Sequence, residues 1–194
     1  MTLFERLVRA ASLQPPPGIL PGDIADGPGT GEARDAAVLI AVTDRPEPGV
    51  ILTVRRPDLR RHPGQIAFPG GRLDAGEDVR TAALREAEEE IGLGRELVRV
   101  AGHLDPYRTI TGFNVTPVIG VVVADPILSP HEAEVADIFE APLAFLLDPR
   151  NHVRRSVLFE GAERPYYEIM WEGRRIWGAT AAMTVNLSKR LSWD

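Results

Sequence analysis

Between residues 71 and 93 the chain carries acid at fixed intervals: Gly71, five residues, Glu77, seven residues, then Arg85-Glu86-Ala87-Glu88-Glu89-Glu90-Ile91-Gly92-Leu93. On a helix turning about 100° per residue, Glu86, Glu89 and Glu90 fall within roughly a third of the circumference. Ala83, Leu84, Ala87 and Ile91 occupy a different arc and read as a core stripe, with Glu88 pointing away from the trio. Three clustered carboxylates repel one another. A hard divalent cation resolves that repulsion, since Mg²⁺ or Mn²⁺ prefers oxygen ligands and bridges carboxylates to substrate phosphates. Arg85 is placed to fix Glu77 or a neighbouring carboxylate by a charged hydrogen bond. A Glu-rich helix alone is a solvated face; the fixed positions before and after it argue for more.

Immediately upstream stands Ile51-Leu52-Thr53-Val54-Arg55-Arg56, then Leu59-Arg60-Arg61-His62-Pro63-Gly64-Gln65-Ile66-Ala67-Phe68-Pro69-Gly70-Gly71. This reads as a strand delivering a basic loop toward the acidic helix. Arg grips phosphate bidentately, which suits a multiply phosphorylated substrate beside bound cations. The glycines permit close backbone approach. Arg55, Arg60, His62 and Gln65 are the candidates for substrate contact. Tyr107, Phe113, Tyr166, Tyr167 and Trp171 are aromatic candidates for stacking a base, against the commoner role of such rings in packing.

The elements that must position these groups follow from periodicity. Leu3, Phe4, Leu7, Val8 and Ala11 recur at helical spacing, so residues 2–12 read as an amphipathic helix. Pro15–Pro17 stop it, and a Gly/Pro/Asp-rich extension runs to residue 34. Residues 36–42 and 50–54 read as strands, and 57–71 as a loop. The acidic helix spans 77–91, with Glu77 and Asp78 at its positive end and Gly92 and Gly94 as its stop. Strands follow near 97–103 and 113–123. Residues 130–147 read as helix or turn, a short strand and a second helix. Tyr166–Trp171 and Arg174–Trp177 flank Glu172-Gly173 as a hairpin, and 179–191 form a last helix. Strands interleaved with helices, without regular βαβ alternation, predict an α/β (α+β) fold: a mixed sheet sandwiched by helices.

Composition narrows the function. The 194 residues, 44% hydrophobic and 26% charged, fit one domain over residues 1–194. Cysteine is absent, which removes disulfides, thiolate metal sites and a cysteine nucleophile. A net charge of −6 argues against a general nucleic-acid binder. There is no apolar run of membrane-spanning length, and Glu5, Arg6 and Arg9 break any signal-peptide core. A cytoplasmic protein acting on a small molecule, with no membrane or nucleic-acid partner, is the expectation; oligomeric state is not legible.

The stretch 71–93 resembles the Nudix box: Gly, five residues, Glu, seven residues, Arg-Glu-apolar-any-Glu-Glu-any-Gly-apolar. Every charged and glycine position matches, and the first apolar position is the small Ala87. The resemblance implies an α/β/α sandwich with the loop–helix–loop of a metal-dependent pyrophosphohydrolase. It makes Glu86 and Glu90 the metal ligands, and Glu89 a third ligand or the base that activates water. Gly71, Glu77, Arg85 and Gly92 brace the motif, and the Gly71 carbonyl is a further possible donor. Glu134 is the second candidate for the base.

The upstream segment is similar to that of the Nudix coenzyme A pyrophosphatases, with Leu-Leu-Thr-x-Arg, a downstream Arg, and a Gly leading to Phe-Pro-Gly-Gly. Two departures are visible: Ile51 replaces the first Leu, and Arg56 stands where a small residue is usual. Residues 134–139 with Pro142-Leu143, and Ile176–Thr180, also look like that subfamily. The resemblance implies cleavage of coenzyme A to phosphopantetheine and adenosine 3′,5′-bisphosphate. The alternatives are another diphosphate (ADP-ribose, NADH or a nucleoside triphosphate) and a non-catalytic sensor, which is expected to have lost metal carboxylates.

Overall fold

The computed structural model describes residues 1–23, 33–59, 62–123, 125–159 and 161–191. Helix α1 (Leu3–Ser12) begins on a capping box, Thr2 accepting from the Glu5 N–H while the Glu5 carboxylate accepts from that of Thr2. The central sheet is built on β1 (Arg34–Thr43), flanked by β2 (Gly49–Arg55) and β7 (Phe113–Val122). β1 and β7 run parallel in unbroken register from Arg34 opposite Phe113 to Thr43 opposite Val122. Among the described residues, the other strand pairings of this sheet are antiparallel: β1 with β2 and with β4 (Gly70–Arg72), β2 with β3 (Ile66–Ala67) and with β8 (Val135–Pro142), and β7 with β5 (Val98–His103) and β6 (Tyr107–Arg108). The sheet is mixed, as expected.

Both faces of the sheet are covered. Ala37, Leu39, Ala41, Ile51, Val118 and Val122 pack under helix α2 (Val79–Ile91) through Ala83, Ala87 and Ile91. Ile40, Val42, Val50, Leu52 and Ile119 pack on the other face against α1, α3 (Leu143–Leu147) and α4 (Ala179–Arg190). The alternation of side chains along β1 and β2 assigns neighbouring residues to opposite layers, so short runs of apolar residues serve two cores. Arg190 ties the ends of the chain together: its guanidinium holds Asp105 at 2.8 Å and donates to the carbonyls of Ala10 and Leu13.

Several boundaries differ from the sequence reading. Helix α2 starts at Val79 because the Asp78 side chain accepts from the Arg80 and Thr81 N–H groups and so forms its N-cap. Gly92 ends the helix in a left-handed conformation, as expected. The segment 57–71 is not all loop, since β3 and β4 pair with β2 and β1 there. Residues 130–134 make a turn, followed by an eight-residue strand β8 rather than a short one. The hairpin of β10 (Ala162–Trp171) and β11 (Arg174–Trp177) is present, and β9 (Val153–Phe159) joins it as a third strand that periodicity did not reveal. Among the described residues, no helix is long and apolar enough to cross a membrane. Most of the Gly/Pro-rich extension, 24–32, lies outside the described residues.

Candidate active site

Helix α2 delivers three carboxylates to one cleft of about 300 Å³, lined by Glu86, Glu89, Glu90, His131 and Glu134. The three differ in environment. Glu89 is open, its side chain 58% exposed, whereas that of Glu86 is 17% exposed. Glu90 is buried. Burial raises the Glu90 carboxyl to a pKa of about 7, with the charges of Glu86 and Glu134 pushing the same way and the Gly70 N–H and Arg55 opposing. Burial also raises Glu86, against the pull of Arg85.

Arg85 sets the geometry of the motif. It grips Glu77 through both carboxylate oxygens at 2.9 Å and reaches Glu86 at 2.9 Å. The same guanidinium contacts Glu89 at 3.2 Å and the Arg72 carbonyl at 3.0 Å. That hydrogen bonding holds Glu77 below the usual carboxylate range and Arg85 above the usual guanidinium value. Glu77 also accepts from the Asp74 N–H, so one ion pair locks loop to helix. Glu88 faces away and pairs with Arg95, as its helical position requires.

The two glycines before the helix act differently. A Cβ on Gly71 would overlap the Glu86 carboxylate, so the missing side chain leaves the space in which that group sits. A Cβ on Gly70 would meet the Ala37 carbonyl and the Val38 backbone, where the Gly70 N–H also donates to Glu90 at 3.0 Å. Gly70→Ala is therefore expected to cost about 3 kcal/mol of stability, the upper end for overpacking a rigid site. Gly71→Ala, which displaces only the tip of a flexible side chain, is expected to leave Tm nearly unchanged and to lower turnover. Urea denaturation beside a steady-state assay checks both, and the reverse pattern would overturn the distinction.

Of the substrate candidates, Arg55 lies at the end of β2 close enough to Glu90 to lower its pKa. The Arg55 Nε is buried with no hydrogen-bond partner among the described residues, a donor suited to an anionic ligand. His62 is exposed, sits in a left-handed conformation at φ 53°, and accepts at its carbonyl from the Gln65 N–H. The Gln65 side-chain amide lies beside Gly178 at the start of α4. Arg60 lies outside the described residues. Glu134 is brought into the cleft from a turn, not from a helix start.

Sequence reasoning missed His131, which stands in the cleft with its N–H on the Glu90 carbonyl at 2.8 Å. A single His in a Pro-rich stretch carried no signal. Several of the aromatic candidates are taken up by packing. Tyr107 is buried with its hydroxyl on Asp23, and Trp171 packs on Phe145 at 4.6 Å between centroids. The Phe113 ring is stacked by the guanidinium groups of Arg34 and Arg72, 4.4 and 5.4 Å from its centroid.

Among the described residues, no three Asp, Glu or His side chains converge closely enough to ligate one ion as they stand. Arg85 draws Glu86 and Glu89 to its side, while Gly70 holds Glu90. The donor set still fits a hard cation. It is all oxygen on the helix, and burial raises the pKa of both Glu86 and Glu90, a cost that a bound cation would offset.

Comparison with known proteins matches residues 33–160 to the NUDIX domain. The chain belongs to that family. Its Nudix relatives include the uncharacterized Nudix hydrolase NudL of Yersinia pestis (strain Pestoides F), 39% identical over 160 residues. That match spans 82% of this chain and 80% of the relative. NudL of Yersinia pseudotuberculosis serotype O:1b (strain IP 31758) matches to the same extent. Among solved structures, the Nudix hydrolase RenU from M. smegmatis is 26% identical, with a TM-score of 0.50 over 58% of this chain and 73% of that one. The fold is accordingly the mixed Nudix sandwich, and the reaction class is hydrolysis of a nucleoside diphosphate derivative. Nudix hydrolases generally use divalent ions such as Mg²⁺ or Mn²⁺.

Proposed function

We propose that this Nudix domain, spanning the whole chain, hydrolyses the diphosphate bond of coenzyme A, releasing phosphopantetheine and adenosine 3′,5′-bisphosphate. The observation that carries the reading is the juxtaposition of the acidic cleft with Arg55 from the strand–loop segment. Glu86, Glu89 and Glu90 would hold the cations. When bound, a divalent ion supplies charge neutralisation and Lewis-acid polarisation of the diphosphate. The residues of the chain do the rest. The Arg55 guanidinium supplies the buried donor for a phosphate oxygen, and Arg60, His62 and Gln65 would contact the adenosine end, where the additional 3′-phosphate needs cationic partners. Glu89, the most exposed of the helix trio, is the first candidate to take the proton from the attacking water. Glu134, across the cleft, is the second.

Mass-resolved products tell the substrates apart. Purified protein with Mg²⁺ or Mn²⁺ is given coenzyme A, ADP-ribose, NADH and a nucleoside triphosphate. The expected result is metal-dependent release of phosphopantetheine and adenosine 3′,5′-bisphosphate, with the other three largely intact. Preferred cleavage of another member of the set would discard the coenzyme A reading and keep the Nudix chemistry.

A further inference from the structure

Arg56 has no part in the roles above, yet it links the loop after β2 to the turn that carries Glu134 into the cleft. Its Nε and one terminal nitrogen grip Asp58 at 2.8 and 2.6 Å, inside the basic loop. Its other terminal nitrogen donates to the Glu132 carbonyl at 2.6 Å, and its backbone N–H donates to the Glu134 carbonyl at 3.0 Å. Its own carbonyl accepts from the Leu59 and Gly64 N–H groups and so closes the basic loop upon itself. The 129–135 segment is tied at its other end to α2, through Ser129 to the Ile91 carbonyl and His131 to the Glu90 carbonyl. The span carrying His131 and Glu134 thus rests on the acidic helix at one end and on Arg56 at the other. A planar guanidinium grips Asp58 through two nitrogens and the carbonyl through the third in one fixed geometry; a lysine ammonium lacks that fork. This is also the position at which the chain departs from the small residue of the resembled pattern.

We propose that Arg56 is a positioning residue that couples the loop segments 56–59 and 62–65 to Glu134, so that substrate held beside them finds the carboxylate at a fixed place. The role of Glu134 rests on the function proposed above, whereas the coupling itself can be read without turnover. Amide hydrogen exchange of the full chain is compared for wild type, Arg56→Ala and Arg56→Lys. Both variants are expected to speed exchange at Gly64–Gln65 and at Glu134–Val135 together, with Tm unchanged, because the side chain is 39% exposed and outside the core. Loss of protection on one side only, or on neither, would overturn the coupling. So would wild-type protection in Arg56→Lys, which would show that charge alone suffices.

Turnover of the diphosphate cleaved fastest in the product screen gives the second readout. Arg56→Ala is expected to lower kcat about tenfold, the usual loss when a supporting contact is removed from a site residue. Combined with Glu134→Gln it should be no slower than the slower single variant, as for groups acting in series. Multiplying effects would overturn the proposal, and so would full turnover in Glu134→Gln. Glu86→Gln, assayed alongside, reports separately whether the acidic cleft is the site at all.

Discussion

Glu86→Gln is expected to lower kcat by about 10³-fold at saturating Mg²⁺ while moving Tm by no more than about 2 °C. The Glu86 carboxylate accepts from Arg85, occupies the space left by Gly71 and lines the cleft. An amide oxygen can still accept from the Arg85 guanidinium, so the loop–helix lock survives. On the function proposed above, what is lost is one negative ligand to a hard cation, and electrostatic stabilisation of that kind is worth several kcal/mol. Each factor of ten in rate is about 1.4 kcal/mol. Turnover within tenfold of wild type, measured on the substrate from the product screen, would remove Glu86 from the metal site.

The second large effect is on stability and has the opposite sign. The folded protein holds the Glu90 proton up to about pH 7, against an unfolded value of 4.5. Between those values the folded chain binds more protons than the unfolded one, so stability falls as pH rises through the window. Above pH 7 the penalty is fully present, on the order of 3 kcal/mol; below pH 4.5 it is absent. Glu90→Gln removes the charge and keeps an acceptor for the Gly70 N–H. The variant should therefore be inactive, yet more stable than wild type at pH 8 by about 2 kcal/mol, with the two converging near pH 4.5. Urea denaturation at both pH values decides it. A variant equally destabilised at both would mean that the buried carboxylate is held by contacts the amide cannot replace. Adding Mn²⁺ at pH 8 should raise the Tm of wild type and not of Glu90→Gln, since a ligand stabilises only the state that binds it.

The acidic helix was legible in sequence because spacing on a helix is rigid, and the trio, the core stripe and the outward Glu88 fall where about 100° per residue puts them. Within the trio, Glu90 differs from the other two in its burial. Glu90 stands seven positions after Ala83, which returns it almost to the same angle, so it lies along the edge of the buried stripe. Its burial follows from that angle. The box positions Glu77, Arg85 and Gly92 could be assigned bracing or stopping roles because ion pairs and left-handed caps are local. The segment holding His131 and Glu134 stayed open between helix and turn, because its shape depends on carbonyls of α2 and on Arg56, far away in sequence. Strand β9 escaped for a related reason. All seven of its residues are exposed, so no face is selected and no alternation is written into Val153–Phe159. The two- and three-residue strands β3 and β4 are too short to have a period, and are fixed only by the neighbours they pair with.

The parallel pairing of β1 with β7 bears on how the molecule reaches its folded state. Arg34 meets Phe113 only after the whole intervening segment, acidic helix included, has been looped out between them. Such a closure is entropically costly and gives the topology a high contact order, which slows folding. On the ribosome, α2 emerges well before the strand that completes its bed. Its apolar stripe can by then meet Ala37, Leu39 and Ala41 of β1 and Ile51 of β2, but Val118 and Val122 arrive only with β7, which closes that layer last.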